Sequence, residues 1–221
     1  MILVLDTETT GREPPEVIEL AYAEVSLPAL QLFEETVYRY KSTFGSSWGA
    51  LAVHHVLDEE LEECPPSMTA KLPAGVDYII GHNIDYDWKA LGSPEVKRIC
   101  TLAIARSLFP DGDSHTLGAM IYRLEPNKTQ ARHLLRNTHI ALTDVRLCGR
   151  ILGFMLAQKG LVFDSPAALW EFSEACRIPT IMAFGKHKGM AIKDLPYGYK
   201  TWMLKQEDMD SYLLRAVRDS M

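Results

Sequence analysis

Asp6 and Glu8 stand two positions apart in MILVLDTETTG, directly after a wholly apolar run. Side chains at i and i+2 of a strand project from one face, so both carboxylates would enter the same space. Two such acids repel one another unless a hard cation lies between them. Mg2+ and Mn2+ take carboxylate oxygens and keep water positions open for a phosphate. Gly11 would let the backbone turn sharply just beyond. Asp-x-Glu by itself is common by chance and equally describes a solvated acidic turn after a strand, so its meaning depends on what else the chain brings to it.

Two further stretches carry acids of this kind. In Gly81-His82-Asn83-Ile84-Asp85-Tyr86-Asp87 an apolar run gives way to a helical one. An acid at a helix start is also favoured by the exposed N–H groups and the macrodipole, and spacing alone does not choose between Asp85 and Asp87. In His139-Ile140-Ala141-Leu142-Thr143-Asp144 the acid falls in the first turns of a long helix. At about 100° per residue a five-residue offset does not put two side chains on one helix face, which assigns His139 to the preceding loop. A neutral imidazole suits removal of a proton from water. Six other histidines, His54, His55, His82, His115, His133 and His187, are equally available on composition alone.

The elements that must position these groups can be read from periodicity. Residues 2–5 (ILVL) predict a buried central strand, and 17–25 (VIELAYAEV) and 35–40 (ETVYRY) predict two more, joined by connections short enough for an antiparallel meander. A helix is expected over about 57–63, a buried strand over 77–81, and a helix from near Asp85. Helical spacing continues through 101–109 and 115–124. A longer helix is expected from Ala141 to Gln158, with Val145, Cys148, Leu152 and Leu156 on one stripe and Gly160 as its stop. This order predicts a layered α/β domain over 1–160. A second unit over 161–221 opens with the N-cap and N1 pair Ser165-Pro166 and includes FGKHKG (184–189).

Taken as a set, DTETTG (6–11), HNIDYD (82–87) and HIALTD (139–144) resemble in order and spacing the three motifs of the DEDDh exonuclease superfamily. The resemblance implies an RNase H-like fold, a mixed β-sheet flanked by helices, and 3′→5′ removal of 5′-mononucleotides. It implies two divalent cations, Mg2+ or Mn2+, held by Asp6, Glu8, Asp87 and Asp144, with His139 as general base. The final acid of the second motif is the ligand in that superfamily, which selects Asp87. Thr7, Thr9 and Asn83 are implied as supports for the terminal nucleotide, and His54 lies where the superfamily has a groove-lining segment. Arg12 stands where an apolar residue is usual after the motif's glycine, so stacking or a phosphate contact by its guanidinium is expected instead. Tyr86 replaces the usual phenylalanine.

The stretch after residue 184 resembles the tail of the exodeoxyribonuclease X branch, which favours DNA over RNA as substrate. From 184 to 221 there are seven Lys/Arg against five Asp/Glu. Lys186 and Lys188, flanked by glycines, are expected to meet phosphate, and Tyr197, Tyr199 and Trp202 either stack on unpaired bases or form the core of a small helical unit.

Composition bounds the rest. The chain has 221 residues, 47% hydrophobic and 24% charged, which is ordinary for a globular protein with a sizeable core. No apolar run approaches the roughly 18 residues of a membrane span. Four scattered cysteines without metal spacing, and an N-terminus lacking a basic, cleavable leader, fit a cytoplasmic protein. A net charge of −6 points away from coating nucleic acid by bulk electrostatics without excluding a nucleic-acid enzyme, whose basic contact surface must then be local. Oligomeric state is not fixed by any of these features.

Overall fold

The computed structural model describes residues 1–137, 140–206 and 208–221. The apolar run becomes β1 (Ile2–Thr9), whose residues Leu3, Val4 and Leu5 are essentially without solvent contact. β2 (Val17–Ser26) and β3 (Gln31–Arg39) follow as the expected antiparallel meander. Although polar residues alternate with apolar ones along β2, Val17–Ala23 are buried on both faces, Glu19 included.

The next helix differs from expectation. Residues 58–61 make only a 3-10 turn, and α1 (Trp48–His54) forms earlier. The consecutive acids Asp58, Glu59 and Glu60 suit a helix N-terminus, but Pro65 and Pro66 stop it almost at once. Ser47 by contrast caps α1, its Oγ accepting from Ala50 N at 3.2 Å.

β4 (Tyr78–Gly81) runs parallel to β1 and is followed by α2 (Asp85–Ala90). β5 (Lys97–Cys100), parallel to β4, was not legible, since four residues beginning with two cations carry no strand pattern. α3 (Thr101–Leu108), α4 (Leu117–Leu124) and a short α5 (Lys128–Leu134) lead to α6 (Ala141–Gln158). The sheet order is β3-β2-β1-β4-β5, with β1 central. α6 lies against β1, β2 and β3 through the expected stripe Val145, Cys148, Leu152 and Leu156, all buried. Gly160 at φ +66° ends it in a conformation that disfavours a side chain.

The chain divides into two compact units, Met1–Ser173 and Glu174–Met221, the boundary falling within α7 (Pro166–Arg177). The second unit holds α8 (Tyr197–Met203) and α9 (Ser211–Asp219). Met182, Ile192, Leu195, Met203, Leu213 and Val217 form its core. Lys200 is buried there, its Nζ donating to Lys193 O at 2.9 Å and Ser220 O at 2.8 Å, which ties the end of α9 to the turn before α8. Cys64, Cys100, Cys148 and Cys176 are free thiols. Among the described residues no helix is long and apolar enough to cross a membrane.

Candidate active site

The site begins where β1 outruns its parallel neighbour. β4 pairs with β1 only over Ile2, Leu3 and Val4. Gly81 then lets the chain pass close to Leu5, since a Cβ there would lie 3.2 Å from Leu5 O and 2.6 Å from the Ile84 side chain. Asn83, exposed and at φ +73°, completes the turn into α2. Asp87, on the first turns of α2, reaches back to β1: its Oδ1 accepts from Thr7 N at 3.0 Å and Thr7 Oγ1 at 2.7 Å. The carboxylate thus takes over the backbone donor that a continuing strand would have satisfied. Asp85 faces elsewhere, accepting from Arg98 Nη1 at 2.5 Å.

Asp6 and Glu8 share the opposite register of β1, and α6 brings in Asp144 on its first turn. Carboxylate oxygens of Asp6, Glu8 and Asp144 all lie within 4.8 Å of one another. Asp87 adjoins this trio through Thr7. His139 lies outside the described residues.

Burial and mutual repulsion act on these acids together. Glu8 is 8% exposed, and burial, followed by the charges of Asp144, Glu19 and Asp87, pushes its carboxyl up to about 8. Asp6 is held well above the usual carboxylate range, first by burial and then by Asp87, Asp144, Glu8 and Glu19. Burial raises Asp87 to about 6, against the lowering effect of its two Thr7 hydrogen bonds. A cluster of desolvated acids at this spacing is relieved by hard cations, and the donor set, oxygen throughout, is the one Mg2+ and Mn2+ take. The residues present therefore fit divalent cations.

The surrounding residues support the frame in different ways. Thr9 Oγ1 and Tyr86 OH are 2.6 Å apart, a second tie between β1 and α2. Gly11, at φ +62°, abuts α1: a Cβ there would come within 2.8 Å of Ala50 Cβ and 2.9 Å of Ser47 Oγ, so both conformation and space demand glycine. Arg12 is exposed, with Nε donating to Gly45 O at 2.9 Å. His54 is buried at the end of α1; its Nδ1 accepts from Val56 N at 3.0 Å, and its Nε2 has no hydrogen-bond partner among the described residues. Burial, with His55, lowers its pKa. His82 is held between Thr101 Oγ1 and His115 O, and burial drives its pKa down to about 4, so it is a neutral structural tie at neutral pH. Lys186 and Lys188 belong to the second unit.

Sequence reading passed over Glu19. It faces Glu8 directly across the β1–β2 ladder and is only 2% exposed. Its Oε2 accepts from Arg39 Nε at 2.8 Å, and its Oε1 from Ala141 N at 3.2 Å. The residue capping α6 is Ile140, which offers no side-chain acceptor, so Glu19 supplies one from 122 positions away. Its one signal in the sequence was an acid on a strand whose neighbours are all apolar. Glu19→Ala is expected to raise the Mn2+ concentration for half-saturation, measured calorimetrically, by roughly 10-fold, since it frees the helix end that carries Asp144. Glu19→Gln, which keeps an acceptor oxygen, should stay nearer the parent protein.

No family model matches the chain. Exodeoxyribonuclease 10 of Escherichia coli (strain K12) is 24% identical over 220 residues, covering 97% of this chain and 96% of that protein. Among solved structures, exonuclease X in complex with 5′ overhanging duplex DNA superposes with a TM-score of 0.61 at 22% identity, over 77% of this chain and 99% of that one. The Escherichia coli ExoI–ssDNA complex in its zinc-bound form gives 0.58 at 15%, over 77% and 42%. A 3′-exonuclease recognising a histone mRNA stem-loop gives 0.55 at 13%, over 72% and 82%. The chain therefore shares the RNase H-like fold of these exonucleases and is similar over nearly its whole length to exodeoxyribonuclease 10.

Proposed function

We propose that the chain is a metal-dependent 3′→5′ exonuclease that releases 5′-mononucleotides, with DNA as its preferred substrate. The observation that carries this reading is the desolvated carboxylate trio Asp6, Glu8 and Asp144, with Asp87 anchored beside it, on a fold shared with exonucleases. Asp6, Glu8, Asp87 and Asp144 would hold two divalent cations, Mg2+ or Mn2+. Bound there, the cations supply positive charge to the scissile phosphate and to the leaving 3′-oxygen.

The chain's own groups do the remainder. The ties from Thr7 to Asp87 and from Thr9 to Tyr86 fix the two acidic elements against each other, so the carboxylates need little rearrangement as substrate arrives. His139, on the segment before α6, takes the proton of the attacking water. Asn83, Thr7 and Thr9 flank the terminal nucleotide, and the exposed Arg12 offers a polar contact to the strand behind it, whereas His54 is buried and lines the groove only from beneath. His139→Ala is expected to lower cleavage by about 10^2–10^4-fold with metal affinity unchanged, the size of effect typical for loss of a general base.

DNA is favoured because the curated relative, matched over nearly its whole length, is an exodeoxyribonuclease. The likeness to a 3′-exonuclease recognising a histone mRNA stem-loop supports RNA as the second reading. A paired time course on 5′-labelled DNA and RNA of matched sequence, with Mg2+, with Mn2+ and with chelator, tests both. A metal-dependent ladder from the 3′ end of DNA is the expected result. A ladder chiefly on RNA would reverse the substrate assignment, and no ladder on either would sink the enzyme reading.

A further inference from the structure

The second compact unit carries chemistry that the carboxylate cluster does not use. Gly185 and Gly189, at φ +71° and +86°, bracket Lys186-His187-Lys188. The turn is closed by Lys188 N donating to Gly185 O at 3.1 Å, and its base is pinned by the reciprocal bonds Gly189 N to Met182 O and Met182 N to Met190 O, at 2.8 and 2.9 Å. Both lysines are exposed, and neither makes an ion pair among the described residues. The His187 ring meets Tyr199 edge-on at 4.5 Å between centroids, and Tyr199 lies 5.2 Å from Trp202. The basic turn is thereby continuous with the aromatic face of α8.

That face is only partly consumed by packing. Tyr199 contributes to the unit's core, but Trp202 is 49% exposed, Tyr197 71% and Phe184 51%. The contrast with Lys200, buried on the same helix and satisfied by two carbonyls, separates the lysine that builds the unit from the two that face solvent. Residues 174–221 hold eight Lys/Arg and six Asp/Glu, a net +2, so in a chain of net −6 the remainder carries −8. Exposed aromatic rings beside unpaired cations, in the more basic of the two units, match a polyanion that also presents flat apolar faces. An unpaired nucleic-acid strand is such a polymer: its bases stack on aromatic rings without regard to sequence, and its phosphates take ammonium groups.

We infer that the second unit is a separate binding surface for an unpaired nucleic-acid strand. Trp202 and Tyr197 are its stacking faces, and Lys186 and Lys188 contact phosphate. The choice of nucleic acid over an acidic protein rests on the exonuclease reading; the surface itself does not.

The test uses the full chain and its variants Trp202→Ala, Tyr197→Ala and Lys186→Glu/Lys188→Glu, with Trp202→Phe as the conservative control. Affinity for a cleavage-resistant phosphorothioate oligothymidylate of ~20 nucleotides is read by fluorescence anisotropy in Ca2+, across a salt series. Hydrolysis of the p-nitrophenyl ester of thymidine 5′-monophosphate in Mn2+ reads the catalytic centre without an extended strand. Trp202→Ala is expected to lower oligonucleotide affinity about 10-fold and Trp202→Phe much less. The lysine double variant should flatten the salt slope by roughly 1.4, two phosphate contacts at about 0.7 each. Ester hydrolysis should stay within about twofold of the parent in every variant, because a mononucleotide ester presents no strand for the second unit to bind. Unchanged oligonucleotide affinity in properly folded variants would overturn the inference while leaving the nuclease reading intact. A parent protein that hydrolyses neither the ester nor DNA would overturn the nuclease reading, with the anisotropy still reporting on the surface.

Discussion

Asp6→Asn is expected to lower metal-dependent 3′-end cleavage by at least ~10^3-fold, a loss of about 4 kcal/mol of transition-state stabilisation, while leaving the thermal midpoint equal to or above that of the parent protein. The two halves of the expectation have one cause. Asp6 is flanked by Glu8, Asp87, Asp144 and Glu19, and burial and those charges together hold its carboxyl well above its ordinary value. In the absence of cations its charge is a liability to the fold, so the amide relieves repulsion at nearly constant volume. In their presence the same charge is what binds them. Asp85→Asn is the internal control. Asp85 lies two residues before Asp87 but pairs with Arg98 at the partly exposed start of α2. An ion pair of that exposure contributes little, so activity within about threefold of the parent is expected. Matched assays of initial rate and thermal midpoint on both variants check this. Full activity in Asp6→Asn, or a collapse in Asp85→Asn, would mean the site has been built on the wrong acids.

The second large effect concerns stability, pH and metal together. Glu8 holds its proton up to about 8 in the folded chain, against an ordinary 4.5. Between those values the native state binds more protons than the unfolded state, so stability falls as pH rises and the loss is complete only above about 8. His82 acts in the opposite sense: depressed to about 4, it favours the folded state increasingly as pH rises toward 6.5. Above pH 6.5 that opposing contribution is finished, and Asp87, at about 6, has largely titrated. In the interval from about 6.5 to 8 the contribution of Glu8 therefore stands clear of those of His82 and Asp87. Glu8 alone corresponds there to roughly 2 kcal/mol at 1.36 kcal/mol per pH unit, about 4–8 °C for a chain of this size. In chelator the midpoint is expected to fall by that order across the interval. Saturating Mn2+ should raise it and flatten the slope, because binding to the native state alone is stabilising. Glu8→Gln should reduce the slope in chelator. A midpoint independent of pH in that interval, with no response to Mn2+, would contradict a cation site at this cluster.

Parts of this site can be read directly from the chain because the periods involved are local. A strand alternates faces every residue, so Asp6 and Glu8 must point the same way whatever surrounds them. The stripe of α6 and the stop at Gly160 follow from helical spacing and from one residue's tolerance of positive φ. The helix at 57–63 failed for an equally local reason misjudged: acids favour a helix start, but two prolines close behind leave room for only a 3-10 turn. β5 lacked a pattern because its burial comes from neighbours on the finished sheet, not from its own alternation.

What the sequence determined by itself was the set of groups and their local directions: two acids on one face of a buried strand, an acid on the first turn of a long helix, and an acid at a strand-to-helix turn. Only tertiary structure decided which acid at that turn faces β1, because Asp85 and Asp87 differ in partners that lie far off in the chain, Arg98 for one and Thr7 for the other. Glu19 was decided the same way. Its polar position on β2 would ordinarily face water, but α6 covers it and offers an N–H 122 positions away. Direction within an element is set by covalent geometry and period. The burial that shifts these carboxyls, and the partners that hold them, come from elements that meet only when the sheet is assembled.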